Sequence, residues 1–191
     1  MCGAAFARFI SRYEKASCRG PNVKVGLFVT CLIDAMRPEI GFSAIKLLEA
    51  VGCEVAVPDA QTCCGQPAYN SGDAVNAREL AAKTLKEFES FDYVVVPSGS
   101  CAGQIKIHFV QLFDGDLQLR ARAERLAAQT YELTDFLANV APKRGLRAVS
   151  LGCITYHDSC SGLRELGIKS QPRALLAAAG VTVTEMKDCE Q

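Results

Sequence analysis

The sequence carries no surplus charge: 21 basic residues balance 21 acidic ones, so no net positive field draws the chain to nucleic acid or an anionic membrane. It has no run of about 18 apolar residues, the length that a bilayer-spanning helix needs. The short apolar stretch near the start is interrupted by Arg8, so no secretory leader is expected and the chain is assigned to the cytoplasm. No G-x-G-x-x-G opens a helix, which argues against a flavin or nicotinamide held by that fingerprint. Histidine is scarce, with two residues, His108 and His157.

Cysteine, by contrast, is abundant: ten in 191 residues. A secreted disulfide scaffold is normally shorter and arrives with a leader, so these thiols are expected to stay reduced. Reduced thiols serve as metal ligands, redox groups or nucleophiles. The 49% hydrophobic content is ample for a buried core.

Residues 1–22, with the breaker Arg19-Gly20-Pro21-Asn22, are expected to form a leader or extension outside the core. Cys2 and Cys18 lie there, where exposed terminal thiols are poorly placed to be ligands. From Val23 onward short β-branched runs alternate with helical periodicity, the pattern of βαβ units. Strands are expected over 24–29, 54–57, 93–96, 148–151 and 181–184, and helices over 42–51, 73–88, 117–127 and 173–179, with 39–41 leading into the first. The fold class is α/β with a mostly parallel sheet, the cysteine loops lying at the carboxyl ends of strands.

An internal echo divides this fold into two related halves, 23–145 and 146–191. Leu47-Leu48-Glu49-Ala50-Val51-Gly52 followed by Cys53-Glu54-Val55 is similar to Leu175-Leu176-Ala177-Ala178-Ala179-Gly180 followed by Val181-Thr182-Val183. Cys31 precedes the first copy at nearly the distance by which Cys160 precedes the second. The first copy runs on to Cys63-Cys64-Gly65, whereas the second reaches Gln191 at the same distance after its glycine. A second Cys-Cys-Gly is therefore expected at or just past that point in the natural protein, the second repeat being cut short before its paired cysteines.

Adjacent cysteines cannot easily bridge each other, because a disulfide needs more Cα separation and a set torsion. Cys63 and Cys64 must each find another partner. In an open parallel sheet the loops beyond the strand ends form the crevice where ligands sit, and Cys31, Cys63, Cys64, Cys101, His157, Cys160 and Cys189 all follow strands. Convergent thiolates suit an iron–sulfur cluster or zinc, with His157 a candidate nitrogen donor for the metal. Cys53 and Cys153 stand among apolar neighbours and are expected to pack in the core. His108 is expected on the polar side or at the end of a short helix.

Two other chemistries fit parts of this pattern. Gly99-Ser100-Cys101-Ala102-Gly103 has the form of a nucleophile elbow, so Cys101 with His157 and Asp158 or Asp135 could serve a cysteine hydrolase. That mechanism leaves Cys31, Cys63 and Cys64 without a task. A zinc-stapled structural module would use the thiols for folding alone, though a chain this apolar needs no staple.

The segments Phe28-Val29-Thr30-Cys31, Cys63-Cys64-Gly65-Gln66-Pro67-Ala68-Tyr69-Asn70-Ser71-Gly72, Pro97-Ser98-Gly99-Ser100-Cys101 and Tyr156-His157-Asp158-Ser159-Cys160 make the chain resemble the cysteine-rich CCG-domain family. That family includes the cysteine-rich subunit of heterodisulfide reductase and iron–sulfur subunits of glycolate and glycerol-3-phosphate oxidation systems; the branch engaged in lactate utilisation is the most similar. The resemblance implies an iron–sulfur cluster of the 4Fe-4S type and electron transfer within an oxidoreductase complex. It implies cluster-binding positions at Cys31, Cys63, Cys64 and Cys101, with Cys160 from the second repeat. It further implies a ferredoxin-type iron–sulfur partner and a third subunit, together oxidising L-lactate to pyruvate. Members with the full motif carry Cys-x-x-Cys at the third strand end, whereas this chain has Cys101-Ala102-Gly103-Gln104, one ligand fewer.

Overall fold

The computed structural model describes residues 23–141 and 152–187. The extension 1–22, the strand expected over 148–151, and Cys2, Cys18 and Cys189 lie outside the described residues.

The short aliphatic runs form β1 (Val23–Leu27), β2 (Cys53–Ala56) and β3 (Tyr93–Val96), and these pair in parallel. A fourth strand, β4 (Thr130–Glu132), joins β3, giving the order β2-β1-β3-β4. Side chains alternate across the sheet, so its two faces bury different sets. Val25, Leu27, Val29 and Val95 pack with Ala44 and Leu48 of α2 (Pro38–Ala50) and with Phe136. Phe28, Val94 and Val96 pack on the other face with Leu85 and Phe88 of α4 (Ala74–Phe88) and Leu126 of α7 (Leu117–Gln129). Gly26 permits this closeness, because a Cβ there would stand 2.8 Å from the Phe91 ring and 2.9 Å from that of Phe88.

Some helix starts follow side-chain caps. Asp73 accepts from the Asn76 amide at 3.2 Å and Asp116 from that of Leu119 at 3.0 Å, each satisfying a donor that the first turn leaves open. Thr30 does the same for Ile33 and opens α1 (Cys31–Met36). Between the long helices stand short ones that periodicity does not reveal, α3 (Gln66–Asn70), α5 (Gly99–Gly103), α6 (Phe109–Leu112) and α8 (Leu133–Asp135). π-helical turns follow α5 at Gln104–His108 and α8 at Phe136–Val140.

Beyond the gap the chain forms β5 (Cys153–Ile154), α9 (Cys160–Arg164), α10 (Ser170–Ala178) and β6 (Thr182–Val183), with β5 and β6 paired in parallel as a separate sheet. Both copies of the sequence echo end in a left-handed glycine, Gly52 at φ 99° and Gly180 at φ 75°, before a parallel strand. Cys53 is buried in the core as expected. Cys153 is not: it is exposed, 3.0 Å from the Thr184 hydroxyl, because its two-residue strand stays outside the four-stranded sheet whose faces are covered.

Candidate metal centre

The chain leaves β1 toward β2 on one side and then reaches β3 on the other, so the order of connection reverses between β1 and β3. A crevice opens at such a point beyond the strand carboxyl ends. The loops expected there are in part helix starts: Cys31 is the first residue of α1 and Cys101 lies within α5, while Cys63 and Cys64 precede α3 in an irregular segment after β2.

These four thiols meet as two pairs. Cys31 Sγ stands 3.7 Å from Cys63 Sγ, and Cys64 Sγ stands 3.3 Å from Cys101 Sγ. A disulfide would need about 2.0 Å, and all four are free thiols. The neighbours Cys63 and Cys64 thus turn to different partners. Cys64 and Cys101 are buried, Cys63 half-buried and Cys31 exposed. Cys31 also feels the charge of Cys101, and Cys64 that of Cys63, so the pairs form one electrostatic group.

Within the inner pair the two sulfurs are driven apart in acidity. The Cys64 thiol donates to Cys101, and together with hydroxyls of Ser98 and Ser100 this lowers the Cys101 thiol from 9.0 to about 7 against the opposing effect of burial. Cys64, the donor in that bond and itself buried, is pushed upward. Cys31 is raised by burial first and then by its contact with Cys63.

Cys160 opens α9 behind the cap Ser159, just as Cys31 opens α1 behind Thr30. Helices α9 and α5 cross almost in backbone contact: a Cβ on Gly99 would stand 2.9 Å from Gly162 Cα. Cys160 therefore lines a cleft of about 410 Å³ with Thr30 and Leu32, which flank Cys31, and with Ser98 and Ser100, which precede Cys101, while none of the four paired thiols lines it. His157 is exposed, and its neighbour Asp158 is taken by Arg173, which grips both carboxylate oxygens at 2.8 Å and also binds Glu185. Asp135 is engaged with Asn139 and Gln171. The triad of a cysteine hydrolase is accordingly not formed: Cys101 is bonded to Cys64, and neither aspartate orients a histidine. His108 ends the π-helical turn as expected, its ring 4.7 Å from that of Tyr69 and its Nδ1 3.3 Å from Gln111.

No set of three or more Cys, His, Asp or Glu side chains among the described residues is arranged to hold one metal ion. A single zinc ion bound by thiolates at about 2.3 Å needs its ligands roughly 3.8 Å apart on every edge of a tetrahedron. Here that spacing occurs only within pairs. Two features take their meaning only from the structure: the serine hydroxyls that bond Cys101, and Gln104, fully buried with neither side-chain polar atom partnered among the described residues. The one signal for Gln104 was its place where the family motif carries cysteine.

A parallel sheet with paired thiols converging at its reversal point defines a cysteine-rich domain protein, and residues 25–106 match the family described as CCG, cysteine-rich domain. Lactate utilization protein A of Geobacillus kaustophilus (strain HTA426) is 50% identical over 154 residues, 81% of this chain and 64% of that protein. Lactate utilization protein A 2 of Bacillus cereus (strain Q1) is 42% identical over 169 residues, 88% of this chain and 70% of that protein. The chain thus spans slightly under two thirds of the length of the Geobacillus relative and slightly over two thirds of the Bacillus one. It belongs to the lactate utilization protein A family. No described helix is long and apolar enough to cross a membrane.

Proposed function

We propose that the chain is the iron–sulfur electron-transfer subunit of an L-lactate utilisation complex. The observation that carries this reading is the meeting of Cys31 with Cys63 and of Cys64 with Cys101 at the sheet's reversal point. Four unbridged thiols, one of them lowered to about 7, are soft donors of the kind that hold iron and sulfide. Their arrangement as separate pairs suits a multinuclear cluster more readily than one enclosed zinc ion, and the 4Fe-4S type is what the family resemblance implies.

Cys31, Cys63, Cys64 and Cys101 are the ligands in this reading, with Cys160 a further thiol lining the neighbouring cleft and His157 left at the surface. The cluster, when bound, takes up and passes on single electrons. The chain's own residues fix its surroundings: Ser98 and Ser100 supply hydroxyl donors, and Phe28, Ile105 and Phe109 bury that side of the sheet. Exposed Cys31 and Leu32 leave the outer side open to a partner. That partner is a ferredoxin-type iron–sulfur subunit, a third subunit completes the oxidation of lactate to pyruvate, and the reducing cytoplasm keeps the thiols free.

The test is iron and acid-labile sulfide per chain, with visible and paramagnetic-resonance spectra, after anaerobic reconstitution. Stoichiometric iron and sulfide, lost in the Cys63→Ser/Cys64→Ser double variant, are expected. Zinc without sulfide, or iron retained by that variant, would overturn the reading.

A further inference from the structure

Gln104 is a polar side chain with no exposed surface, and neither Nε2 nor Oε1 has a hydrogen-bond partner among the described residues. A carboxamide brings two donors and a two-lone-pair acceptor into the interior, and leaving them unmet forfeits their hydration without return. Its helix is otherwise apolar at this depth, with Ala102, Ile105 and Phe109 equally buried. An aliphatic side chain of the same volume would fill the position with no such cost. The amide therefore has a use that outweighs it.

Position indicates the use. Gln104 follows Cys101 by three residues, and residues three apart share a helix face. The Cys101 thiol on that face meets Cys64. Gln104 also opens the π-helical turn Gln104–His108, the kind of insertion that functional sites use to redirect a side chain.

Resting on the iron–sulfur reading above, we propose that Gln104 is a positioning residue of the cluster. Its Nε2 donates a hydrogen bond to a sulfur of the bound group and raises the group's reduction potential. The sign follows from charge: reduction adds an electron to the sulfur-rich group, and a donor facing it stabilises the more negative state. No bond to iron is made by Gln104 in this role.

The experiment compares wild type, Gln104→Met and Gln104→Glu as full chains, metal-free and reconstituted. It reads iron and sulfide content, the midpoint potential in a mediated titration followed by paramagnetic resonance, and the thermal midpoint. Gln104→Met is expected to keep iron and sulfide, to lower the midpoint potential, and to raise the thermal midpoint of the metal-free chain, since methionine removes the unmet amide. Gln104→Glu, which exchanges the donor for a carboxyl group, is expected to lower the potential as well. Full cluster content with an unchanged potential would overturn the proposal, as would a fall in the thermal midpoint of metal-free Gln104→Met, which would mean that the amide has another partner. Loss of iron and sulfide from both variants with wild-type circular dichroism would make Gln104 a ligand and overturn its role as donor. Wild type without iron or sulfide would overturn the iron–sulfur reading itself, a result distinct from all of these.

Discussion

Cys101 differs from the other thiols because three donors surround it: Cys64, Ser98 and Ser100. Its pKa falls from 9.0 in an ordinary thiol to about 7 in the fold, so it is the more acidic thiol. A depressed folded value means that its contribution to stability is present above pH 9 and is lost as the pH falls through 7. The raised value of Cys64 acts the other way, its contribution holding below the ordinary 9.0 and fading as the pH climbs through its higher folded value. In the metal-free protein, alkylation of Cys101 by iodoacetamide, followed by peptide mass spectrometry, is expected to reach half its limiting rate near pH 7, slowly because the thiol is only 8% exposed. Ser98→Ala should move that midpoint to higher pH; a midpoint of 9 in the unmodified protein would contradict the assignment. At this scale the sequence told much about Cys63 and Cys64, since bridging geometry alone forces neighbours to separate partners. It misled about Cys153, because apolar neighbours in sequence do not reveal that a two-residue strand lacks a covering layer. Nor could it separate Asp158 from His157, whose adjacency hides the bidentate claim of Arg173 from α10.

Among the elements, the crossing of α5 and α9 fixes where Cys101 and Cys160 stand, and glycine makes it possible. A Cβ on Gly99 would stand 2.5 Å from Ser159 Oγ and 2.9 Å from both Gly162 Cα and N. Backbone cannot yield as a side-chain tip can, so Gly99→Ala must part the helices and is expected to cost about 1–3 kcal/mol as an overpacked contact. Gly103→Ala meets only the Glu165 carboxylate, at 2.5 Å, a flexible end that can swing away. It is expected to be neutral or slightly stabilising, because alanine is favoured over glycine within a helix by about 1 kcal/mol. Urea unfolding of the two variants gives the comparison, and equal midpoints would sink it. The long elements were legible in the sequence: 93–96 is β3 to the residue, and 73–88 is α4 with its cap Asp73. The short helices that carry Cys31, Cys101 and Cys160 were not, since five or six residues hold too few turns to show a period. β4 was hidden for the same reason, its three residues continuing straight from α7.

Across the whole molecule, the thiol group sits where the sheet's topology opens a crevice, and that topology is held by packing that needs no metal. Both faces of the sheet are covered by apolar clusters, one containing Phe28, Phe88, Phe109 and Phe113, the other Val25, Leu27, Leu48 and Phe136. Of the four converging thiols, only Cys64 and Cys101 belong to a core cluster, at its edge toward the crevice. A small zinc-folded domain behaves differently, its ligands supplying the energy that a minor core cannot. Removing metal from the reconstituted protein with a chelator under anaerobic reduction is therefore expected to leave far-ultraviolet circular dichroism close to the loaded protein's. Unfolding should remain a single cooperative transition at a lower midpoint, the drop reflecting only the binding energy lost by mass action. Collapse of the helical signal on metal removal would mean that the thiols build the fold, and would favour a metal-stapled module over the electron-transfer reading. Retention of the signal with a lowered midpoint separates the two roles: the sheet and its helices build the crevice, and the thiols there are free to be tuned for an electron.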